Sequence, residues 1–272
     1  MRKTTAILVL ILAATAAPLR AQYQTPRPMP ATTSVPALHE QAVARIVIER
    51  FHSGLAAIDR RDWAQARAEF AAVVALHPAE PQGSTADYDL ALAQAHLGEY
   101  GDAAASLQRA LTLDPAFLAA MANLVAVDLQ LGNLSEARAI ADRFVELAPD
   151  SARALYSRGL VALQSNDLAS ARDDFSKLLR NDPQYALAHY DLGVAESRAG
   201  SYAEAQREFS SALALAPTYA RARFALGTLL LRSGNRSAAR AAFERAASDA
   251  AGDPSLRALA LQMRDAIAAP RQ

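Results

Sequence analysis

A chain of 272 residues that is 52 % apolar, 21 % charged and formally neutral has enough apolar side chain to build a core, which excludes a disordered or fibrous protein. The zero net charge argues against a nucleic-acid binder, and the absence of cysteine removes disulfides, thiol nucleophiles and thiolate metal sites. About a quarter of the residues are alanine and only 6 % are aromatic, a balance that favours helix over strand and predicts an all-α protein.

Arg2 and Lys3 precede an unbroken small or apolar run from Ala6 to Ala17, and Pro18-Leu19-Arg20-Ala21 follows. That order of charged, apolar and small-residue segments is the signature of a secretory signal peptide over residues 1–21, cut after Ala21, Ala16 or Ala17. The run falls short of the roughly 20 apolar residues that span a bilayer, so a retained inner-membrane anchor is the weaker alternative. Membrane contact is expected only in that case, and the expected location is the periplasm or the medium. Losing Arg2, Lys3 and Arg20 would leave 25 basic against 28 acidic residues. Residues 22–36 hold Pro26, Pro28, Pro30 and Pro36 with few large apolar side chains, and are predicted to form an extended linker.

Beyond the linker the prolines set a period. Pro115, Pro149, Pro183 and Pro217 follow one another at 34 residues, and Pro78 lies 37 before Pro115. Used as a register, they divide residues 37–253 into six units, 47–80, 84–117, 118–151, 152–185, 186–219 and 220–253. Pro81-Gln82-Gly83 is an insertion, and residues 37–46 extend the first helix. The twentieth column of this register is Ala66, Ala103, Ala137, Ala171, Ala205 and Ala239. Composition alone would give six alanines in a chosen column about two times in ten thousand, so the period is real. The steric reason expected is that only a methyl fits where the two antiparallel helices of a hairpin cross closely.

The eighth column, Gly54, Ala91, Val125, Gly159, Gly193 and Gly227, is expected to be the other side of that crossing. The fifteenth, Arg61, Gly98, Gly132, Asn166, Gly200 and Gly234, suits a left-handed end to the first helix. Phe70, Leu107, Ala141, Phe175, Phe209 and Phe243 of the twenty-fourth are expected to fill the space between consecutive units. Asp253-Pro254 reads as an N-cap and first helical residue, predicting a last helix over 254–268. Its stripe of Leu256, Leu259, Ala260, Met263 and Ile267 would cap the stack.

Small-Gly-x-x-large, alanine, phenylalanine and proline at a period of 34 resemble the tetratricopeptide repeat over residues 47–253. The resemblance implies an α-solenoid of antiparallel helix hairpins wound into a right-handed superhelix, with the first helices lining its concave face. Two columns depart from the family pattern. The fourth, where tryptophan is usual, is Arg50, Asp87, Met121, Leu155, His189 and Arg223; the eleventh, where tyrosine is usual, is Ala57, Gln94, Asp128, Ala162, Glu196 and Leu230.

On the concave face a partner would meet the second, fifth, ninth and twelfth or thirteenth residues of each unit. The fifth column holds Phe51, Tyr88, Ala122, Tyr156, Tyr190 and Phe224, and the ninth includes Leu92 and Leu160. Together they form an apolar ladder with phenol hydroxyls, suited to a peptide or helix of another protein. The same rings would equally serve to pack neighbouring first helices, and exposure decides between the two. Arg153, Arg198, Arg221 and Arg232 fall on the same face and would rim it for a carboxylate or phosphate, the alternative being solvated arginines. Relatives that clamp chaperone carboxylates use lysine and asparagine here; the fifth and ninth columns have neither and only Asn123 stands in the sixth, so that clamp is not expected.

His39, His52, His77, His96 and His189 make no pair at metal-ligand spacing, and H-E-x-x-H, G-x-S-x-G, S-x-x-K and Gly-rich phosphate loops do not occur. Asp173-Asp174 lies on a second helix and reads as a solvated face. The sequons Asn133-Leu134-Ser135 and Asn235-Arg236-Ser237 fall in turns, and the alanine and arginine bias suggests a bacterial chain, so they read as turn chemistry. The expected function is therefore a scaffold that binds another protein, with no catalytic residue, metal, cofactor or nucleic acid. The alternative is a structural accessory or assembly factor of an envelope enzyme or secretion complex, membrane-tethered if the signal is retained.

Overall fold

The computed structural model describes residues 35–78 and 82–268, and among them thirteen helices and no strand occur. The expected signal peptide, residues 22–34 of the expected linker, and Pro81 lie outside the described residues. Six hairpins follow one another: α1 (Val35–Asp59) with α2 (Trp63–Val74), α3 (Gln82–His96) with α4 (Tyr100–Leu113), and α5 (Leu118–Leu131) with α6 (Leu134–Leu147). Then come α7 (Ala152–Gln164) with α8 (Leu168–Asn181), α9 (Ala186–Ala199) with α10 (Tyr202–Leu215), and α11 (Ala220–Arg232) with α12 (Arg236–Asp249). The last helix, α13 (Pro254–Ala268), packs on α12. The helices divide between two compact bodies, one ending at Leu147 and the other starting at Ala148.

Two boundaries differ from the register. Val35 and Pro36 are helical and not linker, because proline is tolerated in a first turn whose N–H groups have no helical acceptor. Gln82 and Gly83 open α3 and are not an insertion outside it. The hairpin turns follow the fifteenth column: Arg61, Gly98, Gly132, Asn166, Gly200 and Gly234 all have positive φ, between 59° and 86°. The residue after each turn starts the second helix, and Asp62, Asp167 and Asn235 cap it by accepting from the backbone N–H of Gln65, Ser170 and Ala238. Asp253 caps α13 in the same way, its Oδ1 accepting from Leu256 at 3.0 Å.

All six alanines of the twentieth column are completely buried. The glycines of the eighth column, however, face a different residue from the one expected. A Cβ built on Gly54, Gly159, Gly193 or Gly227 would lie 2.7, 2.6, 2.7 and 3.0 Å from the rings of Phe70, Phe175, Phe209 and Phe243. The twenty-fourth-column ring therefore occupies the β-carbon space of the glycine in its own hairpin, where it was expected to fill the gap between units. In the two hairpins without glycine the pair is Ala91 with Leu107 and Val125 with Ala141, so one side shrinks as the other grows.

The fourth-column departure also has a structural account. Arg50 pairs with Glu69 at 3.1 Å, Asp87 with Arg109 at 2.8 Å, His189 with Glu208 at 2.6 Å and Arg223 with Asp249 at 2.6 Å, each across one hairpin. Met121 and Leu155 fill the same position as buried apolar groups. In the eleventh column, Glu196 accepts from Arg172 of α8 at 2.7 Å and Gln94 accepts from Ser106 of α4.

Gly193→Ala is expected to lose about 1–3 kcal/mol, the typical cost of overpacking, because the Phe209 ring has to move. Adding Phe209→Leu should restore part of that loss by copying the Ala91–Leu107 pair. Urea denaturation of the two variants measures this, and a double variant less stable than Gly193→Ala alone would contradict the pairing. Ala171→Leu or Ala205→Leu, at fully buried positions, should lower the melting temperature by the same overpacking.

Candidate functional site

Exposure separates the residues of the expected ladder. Phe51, Tyr88 and Leu92 in the first body, and Tyr156 and Leu160 in the second, are between 1 % and 7 % exposed, so packing within the chain already uses their surfaces. Tyr190 and Phe224 are half-buried. A second aromatic column that the sequence reading missed adds to this packing: Phe117, Tyr185 and Tyr219, the thirty-fourth residues of their repeats, stand just before the next first helix. Tyr88 packs on Phe117 at 5.0 Å, Tyr156 on Tyr185 at 5.3 Å and Tyr190 on Tyr219 at 5.0 Å. The other flank of each second-body ring meets the phenylalanine of its hairpin, Tyr156 on Phe175 at 5.9 Å and Tyr190 on Phe209 at 5.8 Å. An aromatic recurring 29 residues after the fifth-column ring was the available signal.

The four arginines each have a neighbour within the second body. Arg198 Nη1 donates to the Leu163 carbonyl at 2.9 Å, near the C-terminus of α7, where a cation complements the unpaired carbonyls. The Arg232 guanidinium lies 4.2 Å above the Tyr202 ring. Arg153 is half-buried and its charge reaches Tyr185. Arg221 is held most loosely, 3.5 Å from Asp253, with both side chains 38 % exposed.

Among these rings and arginines lies Asp191, a sixth-column residue of α9 that was not singled out from the sequence. Its buried carboxylate accepts the Tyr156 hydroxyl at 2.7 Å. Burial pushes this carboxyl up to about 7, against the opposing pull of the Tyr156 hydrogen bond and of Arg221 and Arg198. Burial also pushes the Tyr190 phenol up to about 12, and raises Tyr156, Tyr185 and Tyr219, with the Asp191 charge acting in the same direction. All four phenols thus keep their protons at neutral pH and remain donors. The arrangement offers stacked rings, phenol donors and guanidinium groups around one carboxyl of variable charge. It can hold an apolar segment with a polar or anionic group.

The sixth column as a whole is His52, Asp89, Asn123, Ser157, Asp191 and Ala225, polar in five of six. In it Asn123 and Ser157 are buried, and the Asn123 amide atoms and Ser157 Oγ have no hydrogen-bond partner. Among the described residues, no cluster of three potential metal ligands occurs, and no helix is long and apolar enough to cross a membrane.

Between its ordinary value of 3.8 and about 7, the folded chain holds a proton on Asp191 that the unfolded chain releases. Stability is therefore predicted to fall as pH rises through that window and to level off above it, by an amount on the order of a few kcal/mol. Asp191→Asn should remove this trend, gaining on the parent protein at pH 8 but not at pH 4. Urea denaturation at the two pH values measures the difference, and parallel profiles for the two proteins would contradict the assignment.

Sequence models of the tetratricopeptide repeat match residues 53–116, 124–186 and 196–263, well over half of the chain. No curated protein matches it. Among solved structures, a tetratricopeptide repeat protein from Parabacteroides merdae aligns with a TM-score of 0.66 at 20 % identity, over 83 % of this chain and 100 % of that one. A thermophilic TPR protein of Thermus thermophilus aligns at 0.59 and 24 % identity, over 66 % and 98 %. YrrB, described as a TPR protein with an unusual peptide-binding site, aligns at 0.51 and 18 % identity, over 71 % and 97 %. At these identities the likeness is one of fold. With three matched segments, hairpins at a 34-residue period and the buried alanine column in agreement, the chain belongs to the tetratricopeptide repeat family.

Proposed function

We propose that the first-helix face of the second body is the groove in which this protein holds a peptide or helix of a partner. The family as a whole supplies non-catalytic scaffolds that bind proteins or peptides. The observation that carries the finer reading is the cluster of half-buried aromatics, Tyr185, Tyr190, Tyr219 and Phe224, in adjacent repeats beside Arg221 and Arg198. Such rings combine apolar area with a hydrogen-bonding edge, and few other side chains lose so little freedom on binding. The expected rings Phe51 and Tyr88 are buried within the first body and Tyr156 within the second, so the proposed contact surface narrows to the C-terminal repeats. That YrrB is described as binding a peptide supports this use of the fold.

A second reading, an accessory or assembly factor working through the hairpin ends, is favoured by one observation. Leu97 and Leu131 of the fourteenth column, and Leu113, Leu147 and Leu215 of the thirtieth, are 39–49 % exposed. Export of the mature chain after loss of residues 1–21 belongs to either proposal, and the mass of the N-terminus in the native protein tests it.

Benzoylphenylalanine replacing Tyr219 or Leu215 distinguishes the two readings by photocrosslinking in an extract of the cells that make the protein. The groove reading expects a polypeptide adduct from position 219 and none from 215. An adduct from 215 alone would overturn it in favour of the hairpin ends.

A further inference from the structure

We propose that the partner segment is acidic, that its carboxylate sits beside Arg221 and Arg198, and that its binding takes up one proton on Asp191. The proposal rests on the reading of the second body's first-helix face as the partner site and adds to it the charge of the ligand and a dependence on pH.

Asp191 is surrounded by groups from several elements. From α7, Tyr156 donates to its carboxylate at 2.7 Å. From α9 itself come Tyr190 and Arg198; from the segment before α9, Tyr185; from the segment before α11, Tyr219; and from α11, Arg221. The second helices α8 and α10 turn Phe175 and Phe209 toward this cluster, and their charged or titratable contacts with α9 are Arg172 with Glu196 and Glu208 with His189. Two guanidinium groups thus face one buried carboxyl through low-polarity surroundings. When Asp191 is ionised it draws on the field of both arginines. When it is protonated that field is free for another anion, and the Tyr156 hydrogen bond no longer holds a charge.

The arginines are disposed to receive one. Arg221 is 38 % exposed, and its partner Asp253 lies at the long distance of 3.5 Å, so a ligand carboxylate offering two oxygens competes well for its planar fork. Arg198 uses Nη1 on the Leu163 carbonyl and is otherwise exposed. An incoming carboxylate repels an ionised Asp191 at short range in a poorly screened site, so binding and protonation favour one another by linkage. The proton comes from solvent, and no bond of the ligand changes. Burial places the titration of Asp191 at about 7, so the coupling operates in the neutral range.

The test uses the full chain and two synthetic probes, acetyl-tetraglutamate amide and acetyl-tetraglutamine amide, in isothermal titration calorimetry at pH 6 and pH 8. Repeating pH 7 titrations in buffers of different ionisation enthalpy gives the proton count. The expected result is tetraglutamate binding several-fold tighter at pH 6 than at pH 8, up to the roughly tenfold ceiling for one group titrating at about 7, with partial proton uptake at pH 7 and no comparable binding of tetraglutamine. Asp191→Asn, checked by its helical spectrum, should bind tetraglutamate equally at both pH values, and Arg221→Gln should weaken binding at pH 6. A pH dependence that survives in Asp191→Asn, or binding without proton uptake, overturns the linkage and leaves the groove standing. Equal binding of the two probes overturns the acidic ligand. Failure of both probes alongside a crosslink from position 219 overturns this inference alone, whereas loss of that crosslink removes the groove itself.

Discussion

A phenyl ring takes the volume that a β-carbon would need. That contact, Gly54 with Phe70, Gly159 with Phe175, Gly193 with Phe209 and Gly227 with Phe243, sets how closely the two helices of each of these hairpins approach. It explains the buried alanine in every second helix, since helices drawn together by a ring seated on glycine leave room for a methyl and little more. It also explains why two hairpins can differ without disturbing the array. Ala91 with Leu107 and Val125 with Ala141 divide the space between partners in another way.

The fold was readable because its determinants repeat. Proline spacing, the alanine column and the small or polar residue at each turn recur every 34 residues, and six occurrences speak louder than any local propensity. The positive φ at Arg61 and Asn166, where no glycine stands, could be read only because four glycines mark the same column elsewhere. What was hidden is the identity of contacts across the period. Which residue faces the eighth-column glycine depends on helix separation and crossing angle, and neither is written in column composition. The thirty-fourth-column aromatics escaped notice for a related reason: they occur in three repeats, in a segment that reads as connection, and become meaningful only when packed on the fifth-column rings.

The site was legible in outline and not in depth. Residue type placed aromatics and arginines on the first helices, but type does not report exposure. Phe117 and Tyr185 lie against Tyr88 and Tyr156, and those two rungs of the ladder are core. Asp191 is the clearest case. A lone aspartate in a helix reads as solvated, and only its enclosure by four tyrosines makes its charge conditional. Likewise, the fourth column departs from tryptophan, yet Arg50, Asp87 and Arg223 find an opposite charge on the facing helix and His189 a hydrogen-bond partner there.

The thirty-fourth-column rings stand just before the next first helix yet pair with the fifth residue of their own repeat, as the glycine and phenylalanine pair within one hairpin. A repeat moved to a new place in the array would therefore carry its internal spacing with it, provided both halves of the eighth and twenty-fourth columns travel together. Its seam ring travels with it, because Tyr185 before α9 closes the same repeat whose fifth residue, Tyr156, it covers. Recombination that cuts just after the thirty-fourth residue keeps each seam ring with the helix it already covers. A cut a few residues earlier would exchange seam rings between neighbours and leave cavities where Tyr185 and Tyr219 stand. The natural module for building new arrays from this chain thus begins at the first residue of a first helix and ends on an aromatic.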